Sequence, residues 1–351
     1  MMSRTLFVRC VLILAGGLAL VMAPGSVHAQ LLKLSGYADL EWTVQETNDP
    51  EDEWHNLFDN HHFNLIGIAW VTDDLSGAIE VEYEHAGEEF ALEYGYIAYV
   101  GIPYLRLVGG KFIIPFNRWN KDIHPTFISK MPGRPPVYAN VFPSTYSDVG
   151  IWASGGAPVG QNGNRVTYDL YVVNGLKGDP DEAGFRDLRG NDREKPDRDD
   201  NKAVGGRLGF ELANASFGVS GYTGDYAKTE DTGVGLGISF VGVDASYHRQ
   251  GLELRGEFVS ASQDLTSGEN NDRSGYYLQA AYLTEVDFEP VIRFTAVDFE
   301  GQEDDAEELG IGFNYYLSAS GTVRVAYLFG LEDSEFETDN DKLMTQFVVV
   351  F

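Results

Sequence analysis

Hydrophobic and polar residues alternate with period two along most of this chain. In the first clear run Leu32, Leu34, Gly36, Ala38, Leu40 and Trp42 alternate with Lys33, Ser35, Tyr37, Asp39, Glu41 and Thr43. Successive side chains of a strand point to opposite faces, so the first set lies on one face and the second on the other. Comparable runs cover 61–71, 79–84, 90–100, 104–114, 149–157, 166–172, 202–212, 215–226, 232–248, 252–258, 274–284, 290–299, 307–317, 322–331 and 343–351. Gly, Asn, Asp and Pro separate them, including an acidic connection from Glu46 to Asp59 and a turn from Thr72 to Gly77. With 232–248 taken as one strand the count is sixteen. The boundary between it and the run at Leu252 is the weakest of the set.

Connection lengths alternate as well. Odd-to-even connections include the two longest, whereas even-to-odd ones are mostly short, as at 101–103, 213–214 and 318–321. Short turns on one side and long loops on the other, with both ends of the sheet on the short side, predict an all-β fold: a transmembrane antiparallel β-barrel. One face of each strand then meets lipid. The carboxylates of Glu80, Glu82 and Glu84 share a face and would cost a few kcal/mol each in lipid, so they are expected to face water inside. Asp39, Glu41, Glu93, Glu253, Arg255 and Glu257 are assigned to the same lumen wall.

The alternation breaks between Lys111 and Ser147. Six prolines between Pro115 and Pro143 forbid a continuous strand there. Lys111, Arg118, Lys121, Lys130 and Arg134 stand against one acid, Asp122, a local charge of about +4 in a chain of net charge −29. Phe112, Phe116, Trp119, Phe127 and Phe142 argue that the segment is packed. A long irregular stretch inside a compact protein is usually functional. Residues 115–147 are therefore expected to fold inward as a central constriction loop, with those five bases as its solute-binding set. Arginine would hold an anion bidentately and lysine as a point charge; alternatively the bases pair with wall carboxylates and pin the loop. Arg106, Arg255, Arg293 and Arg324 are on strands and are read as partners of neighbouring glutamates.

Composition narrows the setting. Arg4 and Arg9, an apolar stretch from Val11 to Ala23 and Val27-His28-Ala29 have the form of a cleaved signal peptide over 1–29. The apolar stretch is too short to span a bilayer, and no later segment offers a transmembrane helix. The single cysteine, Cys10, lies in that leader, which leaves the mature chain, 30–351, without disulfide or thiol chemistry. Without the leader 23 bases face 54 acids, a net charge of −31. So acidic a chain repels a phosphate backbone and is not expected to bind nucleic acid. Residues 175–201 carry nine acids and six bases and read as a long charged extracellular loop.

Gly110-Lys111-Phe112 with Pro115-Phe116, Ser147-Asp148-Val149-Gly150-Ile151, Val172-Val173-Asn174-Gly175, Ala203-Val204-Gly205-Gly206-Arg207-Leu208 and Leu252-Glu253-Leu254-Arg255-Gly256-Glu257 resemble, in order and spacing, the phosphate-selective porin O and P family. The resemblance runs from about Leu32 to Phe351. It implies a sixteen-stranded barrel, a homotrimer in the bacterial outer membrane, and inward loops forming a basic constriction. Family members use lumenal bases to conduct phosphate; the lumen candidates here are largely acidic.

The expected function is a porin giving passive diffusion of small hydrophilic solutes or ions, anions such as phosphate among them. The alternative is a non-conducting structural or adhesin-like barrel, or the sheath of a larger envelope complex. Expected partners are outer-membrane lipid, lipopolysaccharide and the solutes. Phe351, with Val349, Phe347 and Leu343 on its face, reads as an assembly signal. No enzyme motif is present, and no cofactor or metal is expected. His61-His62 and His124 lack a ligand set in the linear sequence. Asp179, Asp181 and the acids of 197–200 lack the twelve-residue calcium pattern. Trp119, Phe127 and Tyr138 are read as loop packing rather than a sugar slide.

Overall fold

The first run becomes strand β1 (Leu31–Glu46), and each later run becomes a strand paired antiparallel with the one before it. They are β2 (Trp54–Trp70), β3 (Leu75–Glu84), β4 (Glu89–Ile102), β5 (Leu105–Ile113), β6 (Ser147–Pro158), β7 (Arg165–Val173) and β8 (Ala203–Glu211). The second half comprises β9 (Ala215–Lys228), β10 (Gly235–Arg249), β11 (Leu252–Asp264), β12 (Asn270–Tyr282), β13 (Phe288–Phe299), β14 (Ala306–Ser318), β15 (Gly321–Gly330) and β16 (Lys342–Val350). Pairing of β1 with β16, from Tyr37↔Val350 to Gln45↔Lys342, closes the barrel. This computed structural model describes residues 31–46, 54–125, 127–160, 163–178, 185, 188, 201–229, 233–299, 306–331 and 340–351. The leader and most of the charged loop over 175–201, with Asp179, Asp181 and 197–200, lie outside the described residues.

Alternation sets the two faces. Leu34 is 76% exposed and Ile151 68% exposed on the outside, while Tyr37, Asp39 and Glu80 are at most 3% exposed inside. The boundary near 240–252 resolves as one strand, β10, joined to β11 by Gln250-Gly251. Both residues have positive φ (49° and 83°), the geometry of a tight hairpin whose twist matches its strands.

Two expected connections are shorter than the sequence suggests. β2 begins at Trp54, so residues 54–59 are strand and not loop; Trp42 and Phe58 stack across the pair with ring centroids 6.1 Å apart. Likewise β3 begins at Leu75, and Val71 closes the preceding turn by donating to the Leu75 carbonyl at 2.8 Å. In both places strand pairing outweighs the turn-forming residues.

Residues 114–146 leave β5, enter the barrel and return to β6. Asn120 clamps the neck: its Nδ2 donates to the carbonyls of Ile114 (2.8 Å) and Tyr146 (3.2 Å), and its Oδ1 accepts from the Tyr146 N–H (2.9 Å). A five-residue helical turn (Trp119–Ile123) and a short helix α1 (Val137–Asn140) are the segment's regular parts. Phe116 stacks on Phe142 at 4.3 Å, and both meet Phe240 of β10. The main core of this protein therefore lies inside the barrel, between the loop and the wall from β4 round to β13.

Candidate functional site

Asn117 fixes the loop on the far wall. Its N–H donates to Ser220 Oγ (2.9 Å), and its side chain donates to the carbonyls of Phe258 (3.1 Å) and Val243 (3.4 Å) and to Tyr138 Oη (3.2 Å). Glu257 collects three donors: Tyr138 Oη, Tyr277 Oη at 2.9 Å and the Trp119 N–H at 3.2 Å. Further along, Phe127 packs on Tyr37 of β1 at 4.9 Å, and the Lys130 carbonyl accepts from Asn314 of β14 at 2.9 Å. The loop thus spans from β9 across to β1.

The five bases occupy distinct places. Arg118 donates to Ser216 Oγ (2.7 Å) and lies 3.7 Å from Asp122. Lys121 pairs with Asp169 at 2.6 Å. Lys130 pairs with Glu289 at 2.5 Å and with Glu253 at 3.6 Å. Arg134 donates to the Ser144 carbonyl, and Lys111, which is on β5 rather than in the loop, donates to the Leu92 carbonyl. The wall residues Asp39, Glu41, Glu80, Glu82, Glu84, Glu93, Glu253, Arg255 and Glu257 come from β1, β3, β4 and β11. Asn64 bridges Glu80 (2.8 Å) and Glu82 (2.6 Å), and Arg255 pairs with Glu253 at 2.7 Å.

Arg106 departs from the expected glutamate pairing: it lies over the rings of Trp152 (4.8 Å) and Tyr96 (5.2 Å), a cation–π arrangement. Arg324 donates to Gln346 at 3.1 Å. Arg293 does pair with a carboxylate, Glu308, at 3.0 Å. Trp119 and Tyr138 are buried loop packing.

The loop leaves a chamber on each side of itself. The one toward the short turns has a volume of about 480 Å³ and is lined by Arg106, Arg118, Lys121, Arg165 and Arg207 against Asp122, Asp169 and Glu211. The one toward the long connections, about 190 Å³, is lined by Glu82, Glu84, Glu89 and Glu93 against Arg134 and Arg324. The lumen is therefore polar in the electrical sense: basic excess at one end, acidic excess at the other. His124 lines the second chamber; burial and the nearby Arg134 guanidinium lower its pKa from 6.5 to about 3, so it is neutral.

Several inward-facing side chains escaped the sequence reading. Arg207 forms a two-armed pair with Asp244, Nε to Oδ2 at 2.9 Å and Nη2 to Oδ1 at 2.6 Å. Strand parity could have placed Arg207 inside, since Val204, Leu208 and Phe210 face out. The histidine surroundings had no such signal. The fold brings Asp39, Asp59, Glu82, Glu84 and His85 to His61 and His62, and three overlapping trios among them have donor atoms within 4.8 Å of one another.

Comparison with known proteins matches residues 16–333 to the Gram-negative porin family. An uncharacterised protein of Aquifex aeolicus (strain VF5) is 29% identical over 282 residues, 72% of this chain; the chain covers 61% of that relative's length. An anion-selective porin from Comamonas acidovorans superposes with a TM-score of 0.66 at 13% identity, over 92% of this chain and 99% of that one. OmpT of Vibrio cholerae, in a trimer form, gives 0.63 at 11% identity over 92% and 99%. Salmonella typhi OmpF in complex with daunomycin gives 0.62 at 13% identity over 91% and 97%. At these identities the structural likeness carries the fold alone. The family match extends over nearly the whole chain, and the closed sixteen-stranded barrel agrees with it: this protein belongs to the Gram-negative porin family.

Proposed function

We propose that this chain is a weakly selective diffusion channel for small hydrophilic solutes, set in the outer membrane and narrowed by residues 115–147. Family and fold point to an outer-membrane channel rather than an enzyme. The observation that carries the reading is the fate of the loop bases. A pore selects by its width and by the field at its narrowest point, which low-dielectric walls focus. Lys121 and Lys130 are neutralised by Asp169 and by Glu289 with Glu253. Arg118 is held by Ser216 Oγ beside Asp122, and Lys111 and Arg134 donate to carbonyl oxygens. Wall carboxylates therefore cancel two of the five charges and Asp122 offsets a third, so the loop narrows the lumen while adding less field than its sequence charge implies. This argues against the phosphate selectivity of the O and P family.

A second reading rests on the chamber toward the short turns, where five bases exceed three acids. That excess favours anions entering from the short-turn side. Association as a homotrimer in lipid and lipopolysaccharide, with Phe351 read during assembly, completes the proposal.

Reversal potential across a planar bilayer under a KCl gradient tests it. A small potential in the unaltered protein, displaced toward cations in Arg118→Ala/Lys121→Ala, is the expected result. A large anion-side potential abolished by the same pair of substitutions would replace it with the anion-selective reading. Absence of channels would move the protein to the non-conducting barrel or envelope sheath.

A further inference from the structure

Neighbouring residues in a strand point to opposite faces, yet the rings of His61 and His62 have centroids only 4.0 Å apart. The register explains this. Asp39 pairs with His62 and Glu41 pairs with Asp59, so two residues of β2 oppose the single Leu40 of β1. Such a bulge re-aims side chains, and here it turns His61 onto the same inner wall as Asp59, Glu41 and His62. His85, from the β3–β4 connection, completes the group. It sits in the left-handed region (φ 51°), which histidine tolerates better than most residues, and stacks on His61 with centroids 5.5 Å apart.

The inner and outer parts of this group differ. His62 is engaged at both ring nitrogens, Nδ1 to Asp39 at 3.2 Å and Nε2 to Glu84 at 3.3 Å. His61 Nδ1 is buried without a hydrogen bond, 3.6 Å from a Glu41 oxygen that also makes none. His85 is half exposed toward the chamber, with Nδ1 2.7 Å from Asp59 Oδ2.

We propose that Asp59, His61 and His85 form a binding site for one divalent transition-metal ion of the zinc class, on the inner wall at the acidic chamber. Two imidazoles and one carboxylate are a donor set suited to such an ion, with a position left for water. Tetrahedral ligands about 2.0–2.1 Å from zinc are separated by about 3.3 Å. The three donor atoms here lie within 4.8 Å of one another, so rotamer adjustments of under about 1 Å each would close the site. Binding replaces the direct contact between His85 Nδ1 and Asp59 Oδ2 with bonds to the ion. Glu41, beside His61, and the acids of β3 supply the negative field that draws a cation in.

Isothermal titration of the untagged, detergent-folded protein with zinc chloride at neutral pH tests the site. It reads binding whether or not the barrel conducts, so its failure and the failure of the channel reading remain separate. One saturable ion per chain, lost in His61→Ala and in His85→Ala but kept in His248→Ala, a β10 histidine outside all three trios, is expected. His85 is partly exposed in a connection, so His85→Gln serves if His61→Ala does not fold. Excess calcium should leave zinc bound. Zinc binding that survives both substitutions, no saturable binding, or ready displacement by calcium would overturn the proposal, the last by assigning the cation to the carboxylates alone.

Discussion

Gly242 of β10 leaves the space that the Asn117 amide fills; a β-carbon there would overlap that amide. Asn117 is fully buried, has φ of 45° and is tied to four partners, so it has little freedom to move aside. Gly242→Ala is therefore expected to lift the start of the loop from the wall. Overpacking of this kind costs about 1–3 kcal/mol. The measurement is the urea midpoint of the folded barrel, with trypsin cleavage after Arg118 or Lys121 as a local reporter. An unchanged midpoint and an uncut loop would show that the contact is not restrictive.

Lys130 holds Glu289, whose carboxylate also accepts from Asn314 (2.9 Å) and Tyr316 (2.7 Å). Glu289 is 1% exposed, so Lys130→Ala strands a buried charge. Breaking one side of such a pair costs about 3–5 kcal/mol. The double variant Lys130→Met/Glu289→Gln should recover much of that loss, because it removes the uncompensated charge. Equal midpoints for single and double variants would mean that solvent already reaches Glu289.

His124 gives a pH dependence of definite sign. Its folded pKa, about 3, lies below the ordinary value of 6.5. Between these limits the unfolded chain binds the extra proton, so stability falls as pH is lowered through the window and stops falling below it. His124→Gln keeps a side chain of similar length without the titration, and its unfolding midpoint should change less between pH 6.5 and about 3. Parallel pH profiles for the two proteins would remove His124 as the cause.

Tyr138→Phe deletes one donor to Glu257 while Tyr277 and the Trp119 N–H remain. A hydrogen bond to a charged group contributes about 1.5–3 kcal/mol. The loss should appear in the unfolding midpoint and as noisier single-channel current, because the Tyr138 hydroxyl also accepts from the Asn117 amide at 3.2 Å. Tyr277→Phe should cost a similar amount, and the pair together less than the sum.

The strand count and the inner and outer faces were legible because period two is a local property. Val166, Tyr168, Leu170 and Val172 announce β7 without help from the rest of the chain. The loop was legible too, since prolines and a local basic excess are read directly. What each base touches was not: Lys121 and Asp169 are 48 residues apart, and Lys130 and Glu289 are 159 apart. The bulge at His61 was equally hidden. Shifting one residue out of phase leaves almost no trace in composition, yet it decides which wall a side chain joins. Asn117, following Pro115-Phe116, carried a faint signal, as asparagine accepts the left-handed backbone that leads a chain out of a strand.

The seam between β1 and β16 has a kinetic consequence. Gln346 donates to Asp39 across it at 2.8 Å, although the two are 307 residues apart in sequence. Contacts of such long range are formed late and slow the search for the native state. Until the seam closes, β1 and β16 present unpaired backbone edges that invite association with other chains. Such a sheet cannot be completed piecemeal as it is made. Its first and last strands have to be kept apart from other chains together, until both are in place.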